Sequence, residues 1–118
     1  MNNPIWVPSN ERIRDSLVYE FMQECPEKFD TYFDLHSWSI DKMESFWSHF
    51  WDFSGIKFSR TYNSVLKNPV MPGAKWFSGS ELNYAENLLK GDTDQVAIIS
   101  TGEGGSVKTL TFKELNRK

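Results

Sequence analysis

At 118 residues, with 39% hydrophobic and 25% charged side chains, the chain has the composition of a soluble globular protein with one modest core. A formal net charge of −3 gives it no basic field, which argues against nucleic acid as a partner. Met1-Asn2-Asn3-Pro4 lacks a basic stretch followed by an apolar run, and no segment approaches bilayer-spanning length, so no membrane partner is expected.

The single cysteine, Cys25, cannot form an internal disulfide and suits a reducing, cytoplasmic location. It reads as a small apolar side chain near a helix end, since nothing in the sequence places His36 beside it as a base. Five Trp and nine Phe raise the aromatic content to 15%. Such side chains dominate cores and interfaces, so the composition raises the question of a partner.

In chain order, the first helix is expected from Ser9, an N-cap, with Glu11 in the first turn and Ile13, Leu17 and Phe21 at every fourth position. Pro26 should end it. Phe29, Tyr32 and Phe33 fall at i, i+3 and i+4 and predict a brief helix. Ser39 reads as the N-cap of the strongest helix, with Asp41 at its positive end. Ile40, Met43, Phe46, Trp47, Phe50 and Trp51 form its stripe, and Ser54-Gly55 its end.

From Lys57 to Gly79 the periodicity fades. Asn68-Pro69 and Pro72-Gly73 predict a wrapping loop pinned by Trp76 and Phe77. A third apolar face follows on Leu82, Ala85, Leu88 and Leu89, closed by Gly91. Asn83 and Asn87, one helical turn apart, suit either backbone hydrogen bonding or a solvated polar face.

After Gly91-Asp92, the β-prone runs Val96–Ser100 and Val107–Thr111 flank Gly102-Glu103-Gly104-Gly105 and predict a β-hairpin. That turn lacks the Gly-Lys-Ser/Thr ending and the following helix of a phosphate loop. Thr111-Phe112-Lys113-Glu114 is a capping box that announces a helix only seven residues before Lys118. Isolated helices shorter than about 12 residues are marginal, so the expectation is an N-terminal piece of a longer chain.

Residues with chemistry are dispersed. His36 and His49 are too far apart for a metal pair at helical spacing, and no Gly-x-Ser-x-Gly elbow occurs. The sixteen carboxylates form no paired pattern, and His49 is expected on an exposed or partly buried helix flank. Catalytic residues, cofactor-binding residues and metal ligands are therefore all assigned as none. The Phe46-Trp47, Phe50-Trp51 stripe could serve as a stacking platform, but its helical spacing points to core or interface.

Leu35-His36-Ser37-Trp38-Ser39 and Phe46-Trp47-Ser48-His49-Phe50-Trp51-Asp52-Phe53-Ser54-Gly55-Ile56 together resemble the N-terminal region of acyl-CoA synthetases in the adenylate-forming superfamily. Within it, Trp76-Phe77-Ser78-Gly79-Ser80-Glu81-Leu82-Asn83-Tyr84-Ala85-Glu86-Asn87-Leu88-Leu89 is similar to the acetoacetate-activating branch rather than the acetyl-CoA and propionyl-CoA branches. Leu110-Thr111-Phe112, with Glu114-Leu115, is similar to the start of the adenylating domain. The resemblance covers residues 35–118; residues 1–34 match mainly as a variable helical leader.

For the whole enzyme the resemblance implies ligation of acetoacetate to coenzyme A through an acyl-adenylate, with ATP, Mg²⁺ and CoA as cofactors. Its phosphate loop, ribose-binding aspartate and catalytic lysine have no counterpart here, so no family site residue maps onto this chain. The implied fold class is α+β. It comprises a cap of about three helices over residues 1–91, and over 92–118 a hairpin and helix start from a larger α/β AMP-binding domain.

The implied partner is the rest of the same chain, on which Trp47, Trp51, Trp76 and Phe77 would bury or anchor the cap internally. Leu82, Leu88 and Leu89 would lead into the hairpin. Two alternatives accompany this reading. One is a free-standing aromatic-rich interaction or dimerisation module, self-associating through exposed apolar surface; the other is a sibling specificity for another short acyl or β-keto acid.

Overall fold

The computed structural model describes residues 5–89, 91 and 93–117. Met1-Asn2-Asn3-Pro4 and Asp92, at the expected change of pattern, lie outside the described residues. The fold is α+β, as expected: four helices in the first half, then short strands, a further helix, a hairpin and a last helical turn. The chain divides into two compact units, residues 1–55 with 65–76, and residues 56–64 with 77–118.

In the first unit, Ser9 caps α1 (Asn10–Arg14), its Oγ accepting from Arg12 N at 3.3 Å. The expected continuous helix to Pro26 is corrected here, because the chain breaks after Asp15 and Ser16 caps a second helix, α2 (Leu17–Glu24). Ser16 Oγ accepts from Tyr19 N at 3.2 Å and donates to Ile13 O at 2.6 Å, so one hydroxyl closes one helix and opens the next. The break ends the four-residue period: Phe21 is buried while Ile13 and Leu17 are exposed.

The brief helix expected near Phe29 is a ten-residue helix, α3 (Tyr32–Asp41), opened by a capping box. Thr31 N donates to Asp34 Oδ2 at 2.9 Å and Asp34 N to Thr31 Oγ1 at 3.2 Å. Ser39 is therefore interior to a helix and not an N-cap; its Oγ donates back to His36 O at 2.7 Å. One non-helical residue, Lys42 (φ −121°, ψ 49°), separates α3 from α4 (Met43–Phe53). Gly55, at φ +57°, follows the end of α4.

Phe21, Met22 and Cys25 from the second helical segment meet Leu35 and Trp38 of α3, with Phe29, Phe46 and Phe53 packed around them. Trp38 Nε1 donates to Glu27 Oε1 at 3.0 Å, giving the buried indole its partner. Each such apolar side chain contributes about 1.5–3 kcal/mol on full burial.

The loop expected over Lys57–Gly79 contains two short paired strands, β1 (Ser64–Lys67) and β2 (Lys75–Ser78). Strands of four residues, joined by a segment that holds Pro69 and Pro72, carry too few alternations to register as a pattern. Asn68, at φ +53°, turns the chain between them and its Nδ2 donates to Gly73 O at 3.4 Å. Trp76 meets Trp47 edge-on at 5.5 Å, pinning this segment as expected.

In the second unit, α5 (Tyr84–Leu88) is capped by Asn83, whose Oδ1 accepts from Glu86 N at 3.2 Å. The helix is shorter than expected. Leu82 precedes it, and Leu82, Ala85 and Leu88 are exposed. The predicted hairpin is present as β3 (Val96–Thr101) and β4 (Val107–Thr111), antiparallel, with a bulge between Val96 and Ile98. Its turn is closed by Gly102 N donating to Ser106 O at 3.1 Å and by Gly105 at φ +74°.

The capping box at Thr111 is formed as expected and opens α6 (Phe112–Leu115). Thr111 N donates to Glu114 Oε2 at 2.9 Å, and Glu114 N to Thr111 Oγ1 at 3.2 Å.

Candidate interaction surfaces

Leu17 and Val18 stand one turn before Phe21, and Phe46, Phe50 and Phe53 recur at helical spacing on α4. These six side chains line an apolar hollow of about 260 Å³. Phe21 is its floor, edge-on to Phe53 at 5.0 Å and to Phe46 at 5.6 Å. Leu17 is 71% exposed and Phe50 41%, so the rim is open to solvent. Open apolar clusters of this kind mark contact surfaces rather than reaction sites, because nothing in them can accept or donate a proton.

The expected aromatic stripe therefore splits by depth. Trp51 is buried at 5% exposure, Phe46 and Trp47 are half-buried, and Ile40 and Phe50 remain exposed. The sequence places Leu17 on one helical face with Phe21 but does not single out Val18, and no local pattern sets that face against the α4 stripe.

A second structured element lies in the segment that gives the family resemblance. Phe77 sits at φ +46° and Gly79 at φ +92°. Phe77 O accepts from Ser80 N at 3.1 Å and Ser80 Oγ at 2.7 Å, and Ser78 O accepts from Asn63 N at 2.8 Å. Gly79 O accepts from Arg60 Nε at 2.9 Å, and Arg60 pairs with Glu81. Tyr62 packs edge-on to Phe77 at 5.3 Å. A β-carbon on Gly79 would fall 2.5 Å from Asn63 Nδ2, so any larger residue must displace the Asn63 side chain and also hold a left-handed backbone conformation that favours glycine.

Of the two readings of the asparagines, backbone hydrogen bonding holds. Asn87 Oδ1 accepts from Lys57 N at 2.8 Å, while its Nδ2 donates to Lys57 O at 2.8 Å and to Asn83 O at 3.0 Å. Low-degeneracy residues in this string thus make a hydrogen-bonded double turn.

The two histidines lie on separate helices. His36 is exposed on α3 beside Tyr32, whereas half-buried His49 on α4 stacks obliquely on Phe21 at 4.8 Å. Cys25 is buried at the C-cap of α2, as expected; burial first, and the Glu27 carboxylate second, push its thiol pKa up. Among the described residues, no group of three or more His, Cys, Asp or Glu is placed to hold a metal ion. The Gly102–Gly105 turn joins strand to strand, so these residues do not fit a nucleotide phosphate.

Residues 32–88, from the start of α3 to the end of α5, match the family model described as acetyl-coenzyme A synthetase N-terminus. The chain is 37% identical to the acetoacetyl-CoA synthetase of Xenopus tropicalis, over 96% of this chain and 18% of that one. It is 35% identical to the malonamoyl-CoA synthetase vrtB of Penicillium aethiopicum, over 89% of this chain and 16% of that one. It superposes on acetoacetyl-CoA synthetase from Streptomyces lividans with TM-score 0.86 and 31% identity, over 98% of this chain and 19% of that chain. The chain thus spans less than a fifth of the relatives it matches.

Proposed function

Because the chain belongs to the acyl-CoA synthetase family, as the N-terminal region found in acetoacetyl-CoA synthetases, we propose that it is the non-catalytic N-terminal part of a ligase. That ligase activates acetoacetate with ATP through an acyl-adenylate and transfers it to coenzyme A. The likeness of nearly the whole chain to about a fifth of a solved synthetase carries this reading. ATP, Mg²⁺ and CoA bind elsewhere in the synthetase, and every chemical step belongs to residues outside this chain.

Acetoacetyl and malonamoyl groups are near-isosteric, a methyl in one standing where the other has an amino group, and both place a second carbonyl one methylene from the acyl carbon. The relatives named for them resemble this chain to similar degrees. The substrate class is accordingly a short acid with a carbonyl β to its carboxylate, with acetoacetate the first choice.

The role of these residues is to cap. Residues 1–91 form the cap and 92–118 begin the AMP-binding domain, in a cytoplasmic enzyme of lipid metabolism. The hollow of Leu17, Val18, Phe21, Phe46, Phe50 and Phe53 is covered by the remainder of the same chain. Its all-apolar side chains and the small share of each relative that the chain represents support that occupant. The same exposed rim supports a second reading, a self-associating module.

The test is CoA ligation with AMP formation by the protein encoded by the complete reading frame, assayed with acetoacetate, malonamate, acetate and propionate. Activity is expected with the β-carbonyl acids, and none is expected from residues 1–118 alone, which should also show no ATP binding in calorimetry. Nucleotide binding by residues 1–118, or activity confined to acetate and propionate, overturns the proposal. Light scattering decides the second reading: a dimer through this face in both the 118-residue chain and the complete protein would establish the module.

A further inference from the structure

We draw no further inference here: the strongest candidate, the apolar hollow between α2 and α4 lined by Leu17, Val18, Phe21, Phe46, Phe50 and Phe53, belongs to the surface already described, and nothing in the structure shows which segment or partner covers it.

Discussion

Leu17→Glu separates an open hollow from a covered one. Leu17 is 71% exposed in the 118-residue chain, so roughly a third of its side chain is removed from water. Full burial of a leucine is worth about 1.5–3 kcal/mol, so the substitution should cost this chain at most about 1 kcal/mol. A glutamate in its place keeps most of its hydration.

In the complete synthetase the same position, if covered, would force a carboxylate into a cluster of Val18, Phe21, Phe46, Phe50 and Phe53 with no cation among the lining residues. Burying an unpaired polar or charged group costs about 3 kcal/mol or more, roughly a hundredfold in the docking equilibrium. Urea unfolding of the chain, followed by tryptophan fluorescence, gives the first value. For the complete protein, protease susceptibility of the N-terminal region under native conditions reports undocking. The expected result is a near-silent substitution in the short chain and a strongly labile N-terminal region in the long one. Equal, small effects in both would refute the covered hollow.

Three further outcomes test the architecture. Gly79→Ala should destabilise by about 1–3 kcal/mol in urea, because the added β-carbon meets Asn63 at a left-handed backbone position; a change below 0.5 kcal/mol would show that Asn63 yields freely. Asn87→Ala removes three hydrogen bonds to Lys57 and Asn83, and a loss of about 1–2 kcal/mol is expected, moderated by exposure of the freed groups to water. Protection of the Lys57 amide from hydrogen exchange should fall with it; unchanged protection would dissolve the clamp.

For Cys25 the folded-state pKa is raised, so the unfolded thiol ionises first as pH rises. Its stability contribution is complete below the ordinary thiol range and declines as pH rises through that range toward the folded value. Alkylation should accordingly be slower in the native than in the urea-unfolded chain at one mildly alkaline pH. Equal rates would contradict the burial.

Much of the second unit was legible because its signals are local and chemically explicit. Val96 and Val107 head β-prone runs, glycines mark the turn, and Thr111 with Glu114 spells a complete capping box. The first unit was harder for equally physical reasons. Ile13, Leu17 and Phe21 keep a helical period across a break that Ser16 makes with hydrogen bonds to both sides.

Thr31 and Asp34 also form a capping box, but with aspartate where the usual partner is glutamate or glutamine, so the sequence shows only a brief helix around Phe29, Tyr32 and Phe33 and not its ten-residue length. Ser39 had every attribute of an N-cap except a free backbone turn before it. The hollow was half legible: α4 supplied its aromatic residues in plain periodicity, while Leu17 and Val18 joined them only once the helix ahead of α2 had ended. The clamp made by Asn87 needed the position of Lys57, thirty residues away in sequence, which no local pattern carries.

The bulge in the hairpin fixes how the first of its strands can vary. Ile98 pairs with Leu110 and Ile99 with Thr109, but Val96 pairs with Thr111, one position out of step. The extra residue, Ala97, therefore brings Val96 to the face that holds Ile99 and Val107 instead of the face of Ile98 and Leu110. Deleting that single alanine would restore a regular ladder with Val96 still opposite Thr111 and still on the face of Ile99 and Val107. The side-chain pattern of this strand therefore survives loss of its extra residue: homologous sequences should either keep the position of Ala97 or drop it, with the residues aligned to Val96, Ile98 and Ile99 holding their faces in both cases.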